Sequence, residues 1–441
     1  MSRFITCFLF CVLFINEAAA QKIYTLRECL EEGFANNYSL RISRNLEEIA
    51  RNNATRANAG QLPEISASLS YNLAETSSDI KSRNGSDSHT RNLFNQWIGA
   101  GVDVNYTIFD GFNSANSYKR LKELELQGET ATRIQLEDFI AGLTAEYYNL
   151  VQQQLRLNNF LYAVKLSKER LRIVEARYSI GNFSRLDYLQ AKVDFNADSA
   201  NYINQQQKVA ASQIALNELM AAPDVSVPIT INDTTIIVDK SLNYETLLAS
   251  TLESNSSILS ANQNIRIAEL NYKIVASRDY PVLRLNAGYD YGLNLYGSGY
   301  PNKLSGSWGA GAGLSMNFTV WDGKRRNQKS NARIEILNSE LARQQLELTL
   351  RADLANMWQA YQNNLRLLNL ERDNLVAAYE NYDIAKDRYM LGDLPGIDMR
   401  EAQKSLLDAQ ERILTAEYNA KITEISLMLI SGKISSYFNE N

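Results

Sequence analysis

The sequence predicts an α+β membrane protein, in which four amphipathic β-strands per chain, a share of a barrel, are joined to long helices of coiled-coil character. Three observations predict it. Stretches of ten or more residues alternate apolar with small polar side chains. Two proline-free stretches of more than sixty residues carry apolar residues three and four apart. The same order of patterns occurs twice.

The duplication is clearest where Gly99-Ala100-Gly101-Val102-Asp103-Val104-Asn105-Tyr106-Thr107-Ile108-Phe109-Asp110-Gly111 aligns with Gly311-Ala312-Gly313-Leu314-Ser315-Met316-Asn317-Phe318-Thr319-Val320-Trp321-Asp322-Gly323, with seven of thirteen positions identical. Leu62-Pro63 matches Tyr280-Pro281, Arg177-Tyr178-Ser179-Ile180-Gly181 matches Arg388-Tyr389-Met390-Leu391-Gly392, and Asp187 matches Asp398. These matches are collinear. They divide the chain into a first repeat over 21–230, a connecting segment over 221–241 and a second repeat over 242–441.

The strands are expected at about 64–74, 96–109, 282–295 and 307–321. In the second of them Val102, Val104, Tyr106 and Ile108 alternate with Gly101, Asp103, Asn105 and Thr107. A period of two puts one face in an apolar medium and the other in water. The strand length suits a tilted crossing of a bilayer, and aromatics at the strand ends (Trp97, Phe109, Trp308, Trp321) suit an interfacial girdle on the apolar face. Four strands cannot close a barrel, and lipid satisfies no open sheet edge, so the chain must oligomerise if these strands cross a membrane. The polar stretches Glu75–Asn95 and Tyr296–Leu304 are expected as loops at the cell exterior, opposite the strand ends that lead into helices.

The long helices are expected over 112–178 and 324–389, each roughly 100 Å at 1.5 Å per residue. Shorter helices over Thr25–Ala59, 185–220 and 397–430 are each about half that length, so that two of them end to end match a long one. Pro63 and Pro281 end a helix and begin a strand, and Asp110-Gly111 and Asp322-Gly323 turn strand into helix, with aspartate as the cap. Breaks near Gly181 and Gly392 end the long helices. The segment Ala221–Ser241, with Pro223, Pro228 and several β-branched residues, reads as a small mixed belt between the repeats.

Residues 1–20 read as a signal peptide. Arg3 is its basic start, Phe4–Ile15 its apolar run and Ala18-Ala19-Ala20 its cleavage site, leaving Gln21 as the mature start. Cys7 and Cys11 fall inside it, so the mature chain keeps Cys29 alone, which reads as a packing residue. A net charge of −5 speaks against a nucleic-acid surface. The single histidine, His89, reads as a solvated loop residue, and no clustered ligands or phosphate loop point to a metal, a cofactor or an enzyme. Gly309, Gly311 and Gly313 alternate along a strand and read as small lumen-facing or barrel-bend positions.

Taken together, the duplication, the two hairpins and the paired Tyr-x-x-Gly breaks resemble the TolC outer-membrane efflux protein family over essentially the whole mature chain. The resemblance implies a homotrimer with one barrel of twelve strands set in outer-membrane lipid and a helical tunnel through the periplasm. It also implies a periplasmic adaptor protein and an inner-membrane transporter as partners. The duct would be passive, for efflux or type I secretion, with the pump choosing the substrate. The rival reading is a secreted trimeric coiled-coil or attachment protein, which leaves the two amphipathic hairpins unexplained. By the same resemblance, Tyr178, Gly181, Tyr389 and Gly392 mark the periplasmic tip that docks the adaptor. Asp187, Asp398 and Glu401 are gate carboxylates, with Arg185 and Tyr389 as partners in a latch. The chain departs from the pattern at Leu394, where the family example has arginine; either Arg185 is the substitute or the latch is a different one.

Overall fold

The computed structural model describes residues 23–181, 183–297 and 302–437. The expected signal peptide over 1–20 and part of the expected loop Tyr296–Leu304 lie outside the described residues. In chain order the elements are β1 (Ile23–Tyr24), α1 (Leu26–Asn36), α2 (Tyr38–Asn53), β2 (Glu64–Ile80), β3 (Ser88–Phe109), α3 (Asn113–Ser179) and α4 (Arg185–Leu219). They continue with β4 (Thr230–Ile231), α5 (Tyr244–Ser254), α6 (Ser256–Ala276), β5 (Val282–Tyr296), β6 (Leu304–Asn317), α7 (Gly323–Leu391), α8 (Gly396–Ile430) and the short α9 (Ile434–Tyr437). No described helix is long and apolar enough to cross a membrane.

Two compact units cut across the duplication. One takes Asn45–Thr130 with Ser260–Gln344, and the other takes the remaining described residues. The first unit holds a four-stranded sheet of order β2-β3-β5-β6, all neighbours antiparallel. Its central pairing joins the repeats, with Gly101 opposite Asp290 and Val102 opposite Tyr289. The alternation works as physics requires: Ile65, Leu69, Val102, Tyr289, Leu314 and Met316 stand on one exposed face, with Leu69 81% and Met316 71% exposed. A row of large apolar side chains this exposed needs another covering medium.

Three expectations about the sheet change. The first hairpin is taller than read: β2 runs to Ile80 and β3 begins at Ser88, so most of Glu75–Asn95 is strand. His89 lies in β3, where its Nδ1 meets Asp79 Oδ1 at 2.7 Å across the pair. Polar alternation in Ser, Asn and Thr looks like loop in a sequence, but cross-strand pairing satisfies the backbone equally well. The fourth strand ends at Asn317, so Trp321 stands beyond it. Trp97 does not join the apolar girdle. It shares its face with Gly99, Gly101 and Asp103, and its ring would meet a Cβ on Gly99 at 2.3 Å.

In the other unit the helix expected over Thr25–Ala59 is two helices, broken at Asn37. The Asn37 amide donates to Leu219 O at 2.9 Å, and its Oδ1 accepts from Ser39 and Leu40 N–H. The second repeat does the same with Asn255, which donates to Ile430 O at 2.9 Å and accepts from Ser257 and Ile258 N–H. Each asparagine caps the helix that follows it and satisfies a carbonyl at the end of α4 or α8, where helices leave acceptors unpaired. The apolar period runs on through the break, which is why the sequence shows one helix.

The belt expected over Ala221–Ser241 contains β4, which pairs in parallel with β1. Asn217 Nδ2 donates to Val225 O and Val227 O, and Asp239 N–H donates to Glu424 Oε2 at 2.8 Å. Ile229, Ile231 and Ile236 join a core with fully buried Cys29, Leu143, Tyr147 and Leu150. At the strand-to-helix turns the aspartates cap as expected: Ser114 N–H donates to Asp110 and Lys324 N–H to Asp322.

Candidate gate at the helical tips

Each long helix ends on a glycine with positive φ, +82° at Gly181 and +89° at Gly392. An L side chain is strained there, so glycine suits the stop. At the second tip Gly392 N–H donates to Tyr389 O and Asp393 N–H to Arg388 O, closing the end of α7. The restarts differ. Ser184 caps α4: its hydroxyl accepts from Asp187 N–H, and Asp187 Oδ2 accepts from Ser184 N–H at 3.1 Å and from its hydroxyl at 2.7 Å. Before α8 the capping position is Pro395, which has no side-chain bond to give. Asp398, in the repeat-equivalent position to Asp187, is left out of any capping box.

The named residues separate into two places. Asp187 and Tyr389 line one cavity of about 360 Å³, together with Arg170, Asp194, Phe183 and Arg400. Asp398 and Glu401 line a second, of about 260 Å³, with Arg388 and Asn381. Tyr389 is 2% exposed in a tip core with Tyr382, Met399 and Leu406. Burial pushes its phenol pKa up, against the pull of Arg170 and Arg177. Its hydroxyl has no hydrogen-bond partner among the described residues. Arg185 is exposed and makes no ion pair among the described residues. Tyr178 stacks on Tyr188, ring centroids 5.7 Å apart.

The bond that ties the two tips together comes from Arg177, outside the expected gate set. Arg177 donates to Met390 O at 3.1 Å, over the open carbonyl end of α7, and its guanidinium lies 5.4 Å from the Phe183 ring and 5.8 Å from Tyr389. Behind it runs a ladder of charges, likewise outside the expected set. Arg170 pairs with Asp194, and Arg400 takes Asp198 in both arms at 2.9 and 3.0 Å, with Asp194 3.9 Å from its Nε. The ladder joins α3, α4 and α8. Burial, with Arg400 nearby, holds the Arg170 pKa below its ordinary value although Asp194 opposes the shift. In the sequence these are four charges inside helices, a pattern that reads as a solvated face. Only Arg177 carried a signal, its repeat match to Arg388.

No group of His, Cys, Asp and Glu among the described residues could hold a metal ion. The arrangement is one of ion pairs and carboxylates around two cavities.

Comparison with known proteins agrees with this architecture. The outer membrane efflux protein family model matches residues 30–222 and 247–433, one match in each repeat. The chain is 20% identical over 421 residues to the outer membrane efflux protein BepC of Brucella suis, covering 93% of this chain and 86% of that protein. It is 20% identical over 386 residues to the outer membrane protein TolC of Vibrio cholerae, covering 86% and 84%. In fold it resembles the Campylobacter jejuni CmeC outer membrane channel with a TM-score of 0.76 at 17% identity, over 94% of this chain and 88% of that one. It resembles the outer membrane protein VceC of Vibrio cholerae with a TM-score of 0.75 at 17% identity, over 92% and 96%. With the family model spanning most of both repeats, the chain belongs to the outer membrane efflux protein family.

Proposed function

We propose that three copies of this outer-membrane efflux protein close one barrel, each giving four strands, and that the trimer is a passive exit duct fed by an inner-membrane transporter through a periplasmic adaptor. The observation that carries the reading is the open sheet. Strands β2 and β6 are its edges, with no further strand beside them among the described residues, while its apolar face stands exposed. Such a sheet is stable in lipid only when its edges meet other copies and the barrel closes. The long helices also leave apolar side chains uncovered, among them Leu337, Leu341 and Leu348 on α7, as expected of staves that pack on neighbours.

At the tips, Tyr178, Gly181, Tyr389 and Gly392 form the end that meets the adaptor, and the carboxylates Asp187, Asp398 and Glu401 stand at the constriction. Support for a division of labour comes from the geometry: Asp187 is tied into a cap, whereas Asp398 and Glu401 share an open cavity. In a trimer the latter pair makes two stacked acidic rings, which attract cations. Arg177 and Tyr389 take the latch role to which Arg185 makes no described contribution.

Light scattering of the detergent-purified protein should give a trimer, and planar bilayers should show discrete conductance. A monodisperse monomer with intact β-structure would defeat the proposal. In the same bilayers Asp398→Asn with Glu401→Gln should move the reversal potential toward lower cation selectivity; an unchanged potential would place the constriction elsewhere.

A further inference from the structure

The lumen face of the sheet carries one side chain that its surroundings do not explain. Around it are Ser68, Ser70, Gly99, Gly101, Gly292 and Ser307, all small, and among them stands Trp97. A large aromatic set among small residues in this stretch of a polar face is the informative kind of exception. Its seat is built for it. A Cβ at Gly99 would lie 2.3 Å from the indole, and one at Gly292, on the neighbouring strand, 3.2 Å from Nε1. Glycine at both positions lets the ring lie against the sheet. Ser70 and Ser307 turn their hydroxyls to the carbonyls of those same two glycines. The ring is half-buried, and its remaining surface lines a cavity of about 330 Å³.

The next same-face positions carry carboxylates seated by the same device. Asp290 lies over Gly101, its Oδ1 2.4 Å from where a Cβ would be, and Asp103 lies over Gly288 at 2.8 Å. Asp290 lines the cavity with Trp97. Register makes Asp103 and Asp290 diagonal neighbours on one face, roughly 7–8 Å apart. From Trp97 to Asp103 along β3 and its paired strands they are the only charges on that face among the described residues; the cations flanking it are Arg284, two same-face steps below Asp103 and opposite Thr107, and Lys303, opposite Tyr296 one same-face step above the Trp97 row and three from Asp290. Glycines therefore seat an indole and two uncompensated carboxylates together on the wall.

We propose that this cavity is a lumenal binding site for organic cations that carry an aromatic ring, the indole taking the ring or the cationic centre and Asp290 and Asp103 the charge. The chemistry is complementary on both counts: an indole face attracts cations, and carboxylates without a counter-ion attract them over a longer range. The site rests on the trimeric duct reading, which places three copies around one lumen. It is a way-station for cargo in transit: one cation–π contact and screened charge hold a cation weakly enough to release it.

The test is block of single-channel current by ethidium added on the side of the hairpin tips, with tetraethylammonium as a cation lacking rings. Wild-type trimers should be blocked by ethidium at lower concentration than by tetraethylammonium. Trp97→Ala should weaken ethidium block about three- to fivefold, the size of an exposed cation–π contact, and weaken tetraethylammonium block by less, because that ion has no ring to stack on the indole. Trp97→Phe should keep most of the block, which separates ring chemistry from damage to the barrel wall. Asp103→Asn with Asp290→Asn should weaken block by both cations. Equal ethidium block in wild type, Trp97→Ala and the double asparagine variant would overturn the site, as would loss in the asparagine variant alone. Absence of conductance from every variant, wild type included, would instead break the duct reading.

Discussion

The two helical tips descend from one duplicated sequence, and the structure uses them differently. Both stop a long helix on a glycine of positive φ, and both restart one turn before an aspartate. At the first tip Ser184 and Asp187 satisfy each other's backbone in a capping box. At the second, Pro395 stands where the serine would be, and Asp398 is free to line a cavity with Glu401. One residue at the capping position thus decides whether the matching carboxylate is tied into a helix cap or left to line a cavity. The lesson is that repeat-equivalent residues share a backbone position, while their function follows from the neighbour that claims the side chain.

The largest expected effect concerns what holds the two tips together. Arg400→Ala leaves Asp198, 5% exposed, without its bidentate partner. After allowance for the partial exposure of Arg400, the loss should be about 2 kcal/mol, or roughly thirtyfold faster local opening. Hydrogen exchange across Gly396–Leu406 reads it, and exchange equal to wild type would show that the ladder does not hold α8 in place. Next come the helix stops. Gly181→Ala and Gly392→Ala should each cost about 1–2 kcal/mol, because both demand the left-handed region. Thermal denaturation or proteolysis at the tip should find the two similar; a large difference would mean that one stop is held by contacts and not by its own backbone.

The restarts should separate the tips again. Ser184→Ala removes a working cap and should destabilise the start of α4 by about 1 kcal/mol, measurable as faster exchange there. Asp187→Asn should shift the reversal potential of the open channel less than Asp398→Asn does. If it shifts selectivity as far as Asp398→Asn does, the contrast between the tips fails. The smallest effect is the most pointed: Pro395→Ser recreates Ser-x-x-Asp at the second tip and should steady the start of α8 by about 0.5 kcal/mol. By drawing Asp398 into the new box it should also lower cation selectivity part of the way toward Asp398→Asn. Selectivity that stays at the wild-type value would show that capping does not compete with the lumen for this carboxylate.

Much of the fold was legible in the residues because its signals are local or repeated. Alternation along Val102–Ile108 and Leu283–Leu293 marks strands whatever they pack against, and Gly181 and Gly392 mark helix ends through backbone sterics alone. The missed features share a different character. The break at Asn37 lies within an unbroken apolar period, and it exists because Leu219 O, 182 residues away, takes the amide. Trp97 looked like a girdle residue because tryptophan favours interfaces; its parity with Gly99 and Asp103 contradicts that, and only the glycine seat makes the lumen side comfortable. Arg185, picked for its nearness to Gly181, points to no described partner, while Arg177 reaches across to Met390.

The sequence by itself determined the duplication, the membrane-facing alternation, the long helices and their stops, since each follows from the steric preferences of neighbouring residues and from side-chain periods of 2 and 3.6. Only the tertiary structure decided which charges meet. Arg400 and Asp198 stand 202 residues apart, and Arg170 meets Asp194 only because α3 and α4 fold back on each other. A buried charge must find its partner at hydrogen-bond distance or lose several kcal/mol of solvation. That requirement is met in space by packing, and no spacing along the chain records it.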